Sequence, residues 1–163
     1  MKYSIDTGAL LSLACTSCYQ TILVEDKLIT TEEVKEELKA FAQYADFLGK
    51  KAKNILADIE AKRIYREKPK NILLLPLASA ETSVFSLGKE KQYTIITDDI
   101  HAVRVLFEKE KVTAKPSFIL LGKLYQEKRI TKEQLVQEIN SILTERGWLE
   151  GALYEYAKTL MEK

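Results

Sequence analysis

Cysteine and histidine, the usual protein ligands of zinc, are scarce in this sequence. The 163 residues include two cysteines, Cys15 and Cys18, and one histidine, His101. A structural zinc ion takes four ligands, and the Cys-Thr-Ser-Cys spacing supplies either half of such a site or a redox pair. Because both cysteines lie at the end of an apolar helical stretch, we expect partly buried structural thiols instead.

The chain also lacks an excess of charge of one sign and lacks any long hydrophobic run. Its 25 basic and 24 acidic residues give a net charge of +1, so binding of nucleic acid requires a local basic patch. No apolar stretch is long enough to cross a bilayer and no leader-like segment opens the sequence, which favours a cytoplasmic protein without membrane contact. The length and an apolar content of 46% fit one globular domain with a sizeable core.

Strand-like and helix-like patterns alternate along the first part of the chain. Strands are expected at 2–5, 20–24, 64–66, 72–75 and 94–97, and helices at 8–16, from 30, and at 45–61, 79–90 and 101–108. Thr30 with Glu33, and Thr131 with Gln134, are expected to form capping boxes. This alternation predicts an α/β fold with a mostly parallel sheet and helices on both faces over about 1–115. Residues 116–163 are expected to form a helical C-terminal part of the same domain.

Two of the expected strands end in aspartate, which strands disfavour. Asp6 directly follows the expected strand at 2–5, and Asp98 and Asp99 directly follow the expected strand at 94–97. Open α/β folds bind their ligands at the carboxyl edge of the sheet, where these side chains are expected to meet. The two strand ends therefore predict one acidic site, and an acidic site requires a cation.

Two glutamates on helices extend the acidic set. On a helical wheel, Glu37 is the glutamate closest to the apolar face of Val34, Leu38 and Phe41, so it is expected to lean inward. Glu81 lies in the first turn of its helix, where an acid is either a site residue or simply favourable for the helix dipole. Oxygen ligands favour Mg²⁺ or Mn²⁺ over zinc, and such an ion offsets the repulsion between carboxylates. A metal ion of this kind also activates water for attack on phosphorus.

Four segments, in this order, resemble the motifs of the PIN-domain nucleases: Tyr3–Leu11, Val34–Leu38, Ala80–Val84 and Thr97–Arg104. The resemblance implies a three-layer α/β/α fold and metal-dependent cleavage by an endoribonuclease. The expected RNA partner is single-stranded RNA or a structured RNA with exposed loops. The best-known members of the family are toxins of VapBC-type toxin–antitoxin pairs. The resemblance therefore also implies an antitoxin protein as partner and a homodimer.

The expected catalytic residues are Asp6, Glu37, Glu81, Asp98 and Asp99. Asp6, Glu81 and Asp98 are expected to hold the metal, and Glu37 to contact it directly or through water. Asp99 is expected to be an additional or alternative ligand. Within the adjacent pair, we expect Asp98 to be the direct ligand.

Three further residues are expected to support the site. Thr7 either hydrogen-bonds to an acid or a water of the site, or caps the first helix. Thr97 is either an orienting hydroxyl or an ordinary strand residue, and Arg104 contacts a phosphate or steadies the acids. For His101 we favour a structural role. The basic segment Lys50–Lys70 either guides an RNA backbone or is a solvated helix face.

Two other functions fit parts of the pattern. A PIN-like module that binds RNA or a protein without catalysis would keep the acids and show no cleavage. A phosphatase-like enzyme with Asp6 as nucleophile fits less well, because Gly8 occupies the position where a second acid would be needed.

Overall fold

The structure is a computed structural model that describes all 163 residues and contains five strands and nine helices. The strands are β1 (Lys2–Ile5), β2 (Lys27–Thr30), β3 (Tyr65–Arg66), β4 (Thr94–Ile96) and β5 (Ala114–Lys115). The helices are α1 (Thr7–Ala14), α2 (Tyr19–Glu25), α3 (Glu32–Ala42), α4 (Phe47–Glu60), α5 (Ser79–Lys91), α6 (Ile100–Glu110), α7 (Phe118–Gln126), α8 (Lys132–Arg146) and α9 (Ala152–Glu162). The expected α/β class is confirmed.

The strands form one sheet in the order β3-β2-β1-β4-β5, and every pairing is parallel. The chain leaves β1 for β2 on one side and later returns to β4 on the other, so the strand order reverses between β1 and β4. Ligands of open parallel sheets bind at such a reversal, outside the carboxyl ends of the strands. The pairing of Ile5 with Ile96 places the next residues, Asp6 and Thr97, side by side at this point. The sheet and its flanking helices give the predicted three-layer arrangement.

A single cluster of 35 buried apolar residues fills the interior. It includes Leu10 of α1 and Phe85 of α5, and it continues into the C-terminal helices through Phe118, Leu121 and Ile139. The C-terminal helices therefore share the core of the sheet. The proposed division of the domain near residue 115 stays a prediction.

The prediction of a strand at 20–24 is wrong, because these residues form most of α2. Ile22 and Leu23 are both buried while Val24 is 83% exposed, which is not the alternation of a strand. The neighbouring strand is β2, which begins two residues after α2 ends. Apolar runs this short fit a helix or a strand equally well.

The expected cap of α3 at Thr30 is also displaced by one residue. Thr30 is the last residue of β2, and its hydroxyl donates to the carbonyl oxygen of Ile5 at 2.9 Å. The side chain of Thr31 caps the helix by accepting from the backbone N–H of Val34. Since Val34 now occupies the third helical position, no capping box forms there.

The segment 72–75, expected as a strand, has no regular structure. Leu74 is 94% exposed, and the N–H of Leu73 donates to the Ser86 hydroxyl of α5 at 2.9 Å instead of pairing with a strand. The helix that follows is capped by Ala78, with Ser79 as its first residue. The unpredicted fifth strand is β5, which has only two residues and therefore no detectable period.

The start of α8 matches the expectation, and its end helps to form the site. The capping box of Thr131 and Gln134 opens the helix, and Gly147 ends it. Gly147 has a φ of +68°, a conformation that glycine adopts without strain, so the chain turns directly after Arg146.

No single helix is long and apolar enough to cross a membrane. The pair α1 and α2 together reaches the required length and composition, but the two helices meet at a bend of 119°.

Candidate active site

A pocket of about 300 Å³ opens at the carboxyl edge of the sheet, over the ends of β1 and β4. We call it the acidic pocket, and it is lined by Asp6, Thr7, Gly8, Glu37, Ala80, Glu81, Asp98, Asp99, Arg146 and Trp148. The structure thus brings all five expected catalytic acids to one place. They arrive from four separate segments of the chain: the ends of β1 and β4, the first turn of α5 and the middle of α3.

Asp6 lies at the centre of the acidic pocket and is almost completely buried. One of its oxygens caps α1 by accepting from the N–H of Ala9 at 2.9 Å, and the other accepts from the hydroxyl of Thr97. The pKa of Asp6 is raised to about 7, chiefly by burial and to a smaller extent by the charges of Asp98 and Glu37, against the lowering effect of the two hydrogen bonds. The ionised form is therefore costly in the absence of a cation.

Asp98 and Asp99 are adjacent in sequence but have different surroundings. Asp98 is buried, and its two oxygens accept from the N–H of Ser117 at 2.7 Å and from the Ser117 hydroxyl at 2.8 Å. It thereby joins the end of β4 to the start of α7. Burial raises the pKa of Asp98, while Ser117 and, more weakly, Arg146 lower it. Asp99 is exposed and caps α6 by accepting from the N–H of Ala102 at 3.0 Å.

Glu81 and Glu37 complete the acidic set from α5 and α3, and both are half-buried. One carboxylate oxygen of Glu81, Oε2, is buried and has no hydrogen-bond partner. The pKa of Glu81 is raised to about 7, chiefly by burial and also by the charges of Asp99, Asp6 and Glu37. A buried carboxylate oxygen without a donor is costly, so the arrangement favours a cation beside it.

The donor set fits a hard divalent metal ion. All the acids offer oxygen, and the Thr7 hydroxyl is a second buried oxygen of the pocket without a partner. No three His, Cys, Asp or Glu side chains are already arranged to hold one ion, so binding requires the carboxylates to draw closer together. The raised pKa values of Asp6 and Glu81 show which repulsion such an ion would relieve.

The expected supporting residues fall into two groups. Thr7 lines the acidic pocket, while the cap of α1 is Asp6, so capping is not the role of Thr7. Thr97 orients Asp6 through its hydroxyl. Arg104 is exposed on α6 and does not line the pocket, and His101 is exposed on the same helix.

The basic segment 50–70 and the two cysteines also lie outside the acidic pocket. Within that segment Arg63 forms an ion pair with Asp58 at 2.7 Å, which favours the interpretation as a solvated, paired surface at that position. Cys15 is half-buried and Cys18 is buried, both as free thiols. Burial raises the pKa of each, which suits the structural role expected for them.

Two residues of the acidic pocket, Arg146 and Trp148, were not expected from the sequence. Both flank Gly147, which ends α8, and the Arg146 guanidinium lies 5.1 Å from the centre of the Trp148 ring. The arginine and tryptophan on either side of a helix-ending glycine are the only sequence signal for them.

A parallel sheet with five acids gathered at its strand-order reversal defines an α/β protein with an acidic site at the carboxyl edge of the sheet. The chain belongs to the PIN-domain family: the family model DUF3368, described as a PIN domain, matches residues 3–163. PIN domains are generally nucleases and typically use divalent metal ions. The family expected from the four sequence motifs is thereby confirmed. No curated protein matches the chain.

Proposed function

We propose that this protein is a divalent-metal-dependent endoribonuclease that hydrolyses phosphodiester bonds in single-stranded RNA. The observation that supports the proposal most strongly is the convergence of five carboxylates in one pocket at the strand-order reversal. Two of these carboxyls have pKa values raised to about 7, and one buried oxygen has no partner. Structural ion pairs do not explain this set, because none of the five acids is in an ion pair with a basic side chain of the pocket.

Asp6, Glu81 and Asp99 are the residues that we assign to holding Mg²⁺ or Mn²⁺. Glu81 offers its unpartnered oxygen, and Asp99 is exposed to solvent. Asp6 lies at the end of β1, beside the end of β4. Asp98 already accepts two hydrogen bonds from Ser117, so its contacts support direct ligation less than those of Asp99. The expectation that Asp98 is the direct ligand of the pair stays a prediction. The ion, when bound, supplies a Lewis acid for the phosphoryl oxygens and activates water.

The remaining residues hold this arrangement. Thr97 fixes the orientation of Asp6, and Ser117 fixes Asp98, so the carboxyl ends of β1 and β4 are positioned before any ligand arrives. Glu37 faces the same space from α3, and we assign it a contact to the ion through water.

The choice of single-stranded RNA follows the resemblance of the four sequence motifs. The same resemblance is the source of two further parts of the proposal, namely that the protein is the toxin of a toxin–antitoxin pair and that it forms a homodimer in the cytoplasm. Size-exclusion chromatography with light scattering tests the dimer directly, and a single species with the mass of one chain would contradict it.

The proposed activity is tested with an end-labelled, unstructured RNA incubated with Mg²⁺ or Mn²⁺. Wild-type protein is expected to cut it, EDTA is expected to stop the reaction, and Asp6→Asn is expected to lower the rate by at least about a hundredfold while the circular dichroism spectrum is unchanged. Cleavage by Asp6→Asn at the wild-type rate without metal would refute the proposal. Retention of the RNA without product under either ion would favour the non-catalytic module instead.

A further inference from the structure

We propose that Arg146 binds a phosphate group of the RNA strand in the acidic pocket, and that Trp148 positions its guanidinium. The proposal rests on the proposed function, because it names the contact that the substrate makes in the same pocket. Arg146 is contributed by the helical C-terminal part, which none of the acids belongs to.

The first observation is that Arg146 lies close to the acids without pairing with any of them. A methyl group placed on Gly8 would lie 3.7 Å from Nη2 of Arg146 and 3.9 Å from Oδ1 of Asp6, so both groups lie close to the same point beside Gly8. No carboxylate oxygen lies within 4.0 Å of the guanidinium, and its N–H groups donate to no protein acceptor. Its five donors are therefore available to a ligand.

The second observation is that Arg146 is held in place by an aromatic side chain. Its guanidinium lies over the Trp148 ring at 5.1 Å, and the ring packs edge-on against the buried Phe118 at 6.3 Å between centroids. Phe118 in turn stacks on Tyr156 of α9 at 6.5 Å. The turn at Gly147 allows Arg146 and Trp148 both to line the acidic pocket. Aromatic side chains from α7 and α9 therefore support Trp148, which in turn supports the guanidinium.

The third observation concerns charge. A pocket with five acids repels a polyanion, and a bound divalent ion offsets only part of that charge. Arg146 is the one basic side chain that lines the pocket, and a guanidinium binds phosphate through two parallel hydrogen bonds. A phosphate lying between the carboxylates with their ion and Arg146 would be contacted by positive charge from two sides. This arrangement requires an arginine without an internal partner, as observed.

The test measures binding of a fluorescein-labelled oligouridine by anisotropy in the Asp6→Asn background with Mg²⁺, where cleavage is expected to be at least about a hundredfold slower than in the wild type. Adding Arg146→Gln is expected to weaken binding about tenfold and to reduce the slope of log affinity against log salt by about 0.7. Arg146→Lys is expected to keep the salt slope and to bind less tightly, because it retains the charge without the planar fork. Arg129→Gln is the matched control: Arg129 pairs with Glu25 near the opposite end of α8 and should leave both quantities unchanged.

The fluorescence of Trp148 provides a second measurement of binding, because Trp148 is the only tryptophan of the chain. Binding of the oligouridine is expected to change its fluorescence in the Asp6→Asn protein, and Arg146→Gln is expected to reduce that change at equal RNA concentration. Thermal unfolding of each variant shows whether the protein is folded. Trp148→Phe keeps a ring beneath the arginine and is expected to bind better than Trp148→Leu.

The outcomes separate this proposal from the proposed function. Equal affinity and salt slope with and without Arg146→Gln would overturn the phosphate contact, and Asp6-dependent cleavage by the wild type would still support the nuclease. Loss of binding on Arg146→Gln in a protein that never cleaves would support the contact and refute the nuclease. If the parent protein does not bind the oligouridine at all, the phosphate contact is overturned together with the choice of RNA.

Discussion

The hydroxyl of Thr97 donates a hydrogen bond to the carboxylate of Asp6 and so joins the ends of β1 and β4. The two residues are 91 positions apart in sequence and become neighbours because Ile5 pairs with Ile96. The bond lowers the pKa of a carboxyl that burial raises to about 7. Removing it should therefore change the pH at which Asp6 ionises.

Thr97→Val is expected to move the acid limb of the pH–rate profile for RNA cleavage to higher pH. Valine has nearly the same shape but donates no hydrogen bond, so the pKa of Asp6 rises further and a larger fraction is protonated at pH 7. Thr97→Ser keeps the donor and is the control. An acid limb at the same pH in all three proteins would show that Asp6 ionisation does not govern the rate.

Asp6→Asn is expected to stabilise the metal-free protein at pH 8, to have a clearly smaller effect at pH 5, and to have almost none below about pH 4. The pKa of Asp6 is about 7 in the folded state and 3.8 in the reference state, so the folded state binds the extra proton between these values. The stability that this proton gives is complete below about pH 4 and is lost as the pH rises through 7. A pKa shift of this size corresponds to at most about 4 kcal/mol of unfolding free energy. The wild type loses this stability as the pH rises, whereas the variant does not, because asparagine is neutral at every pH.

Thermal or urea unfolding in EDTA at pH 8 and pH 5 measures this difference. Asparagine keeps an oxygen that accepts from Ala9, so the cap of α1 is retained. A variant that is less stable than the wild type at pH 8 by the same amount as at pH 5 would contradict the raised pKa.

Asp98 and Asp99 are expected to separate stability from activity. Asp98→Ala leaves the buried N–H of Ser117 without an acceptor and should lower the free energy of unfolding by about 1–3 kcal/mol. Asp99→Asn keeps the cap of α6 and should unfold like the wild type, yet cleave RNA at least about tenfold more slowly. Full activity of Asp99→Asn together with a stable, inactive Asp98→Asn would restore Asp98 as the ligand.

Gly8→Ala is expected to raise stability and lower activity. Gly8 is in α1, where alanine is favoured by up to about 1 kcal/mol, and the added methyl meets only Arg146 and Asp6, at ordinary contact distances. That methyl lies beside both the guanidinium and the carboxylate, and it takes up space in the part of the pocket where the phosphate is proposed to bind. Gly122→Ala in α7, where the new methyl would meet only Leu160, is the control for a helical glycine. Unaltered cleavage by Gly8→Ala would show that the phosphate lies elsewhere.

The sequence predicted the acids of the pocket because each carries a local signal. Asp6 and the Asp98–Asp99 pair interrupt apolar strands, and Glu37 lies nearest the apolar face of its helix. These signals depend only on the spacing of side chains within one helix or strand, and that spacing can be read directly from the sequence. The order of the strands then brings the acids to one edge.

Features that depend on contacts between distant elements could not be predicted in this way. The different surroundings of Asp98 and Asp99 come from Ser117, and the place of Arg146 comes from the packing of α8 beside α1. Arg104 follows the acids closely in sequence, but its position on α6 leaves it exposed and outside the pocket. The wrong prediction of a strand at 20–24 also reflects a contact between distant elements. Three consecutive apolar residues fit a helix or a strand equally well, and only pairing with a neighbouring strand distinguishes the two.

The most direct measurement of the central claim is a calorimetric titration of Mn²⁺ into the wild type and Glu81→Gln near pH 7. We expect the wild type to bind the ion with release of protons, since the carboxyls of Asp6 and Glu81 have pKa values of about 7 and binding requires them ionised. Glu81→Gln is expected to bind at least about tenfold more weakly and to release fewer protons. Failure of the wild type to bind Mn²⁺, or equal binding by the variant, would contradict the assignment of this pocket as a metal-dependent nuclease site.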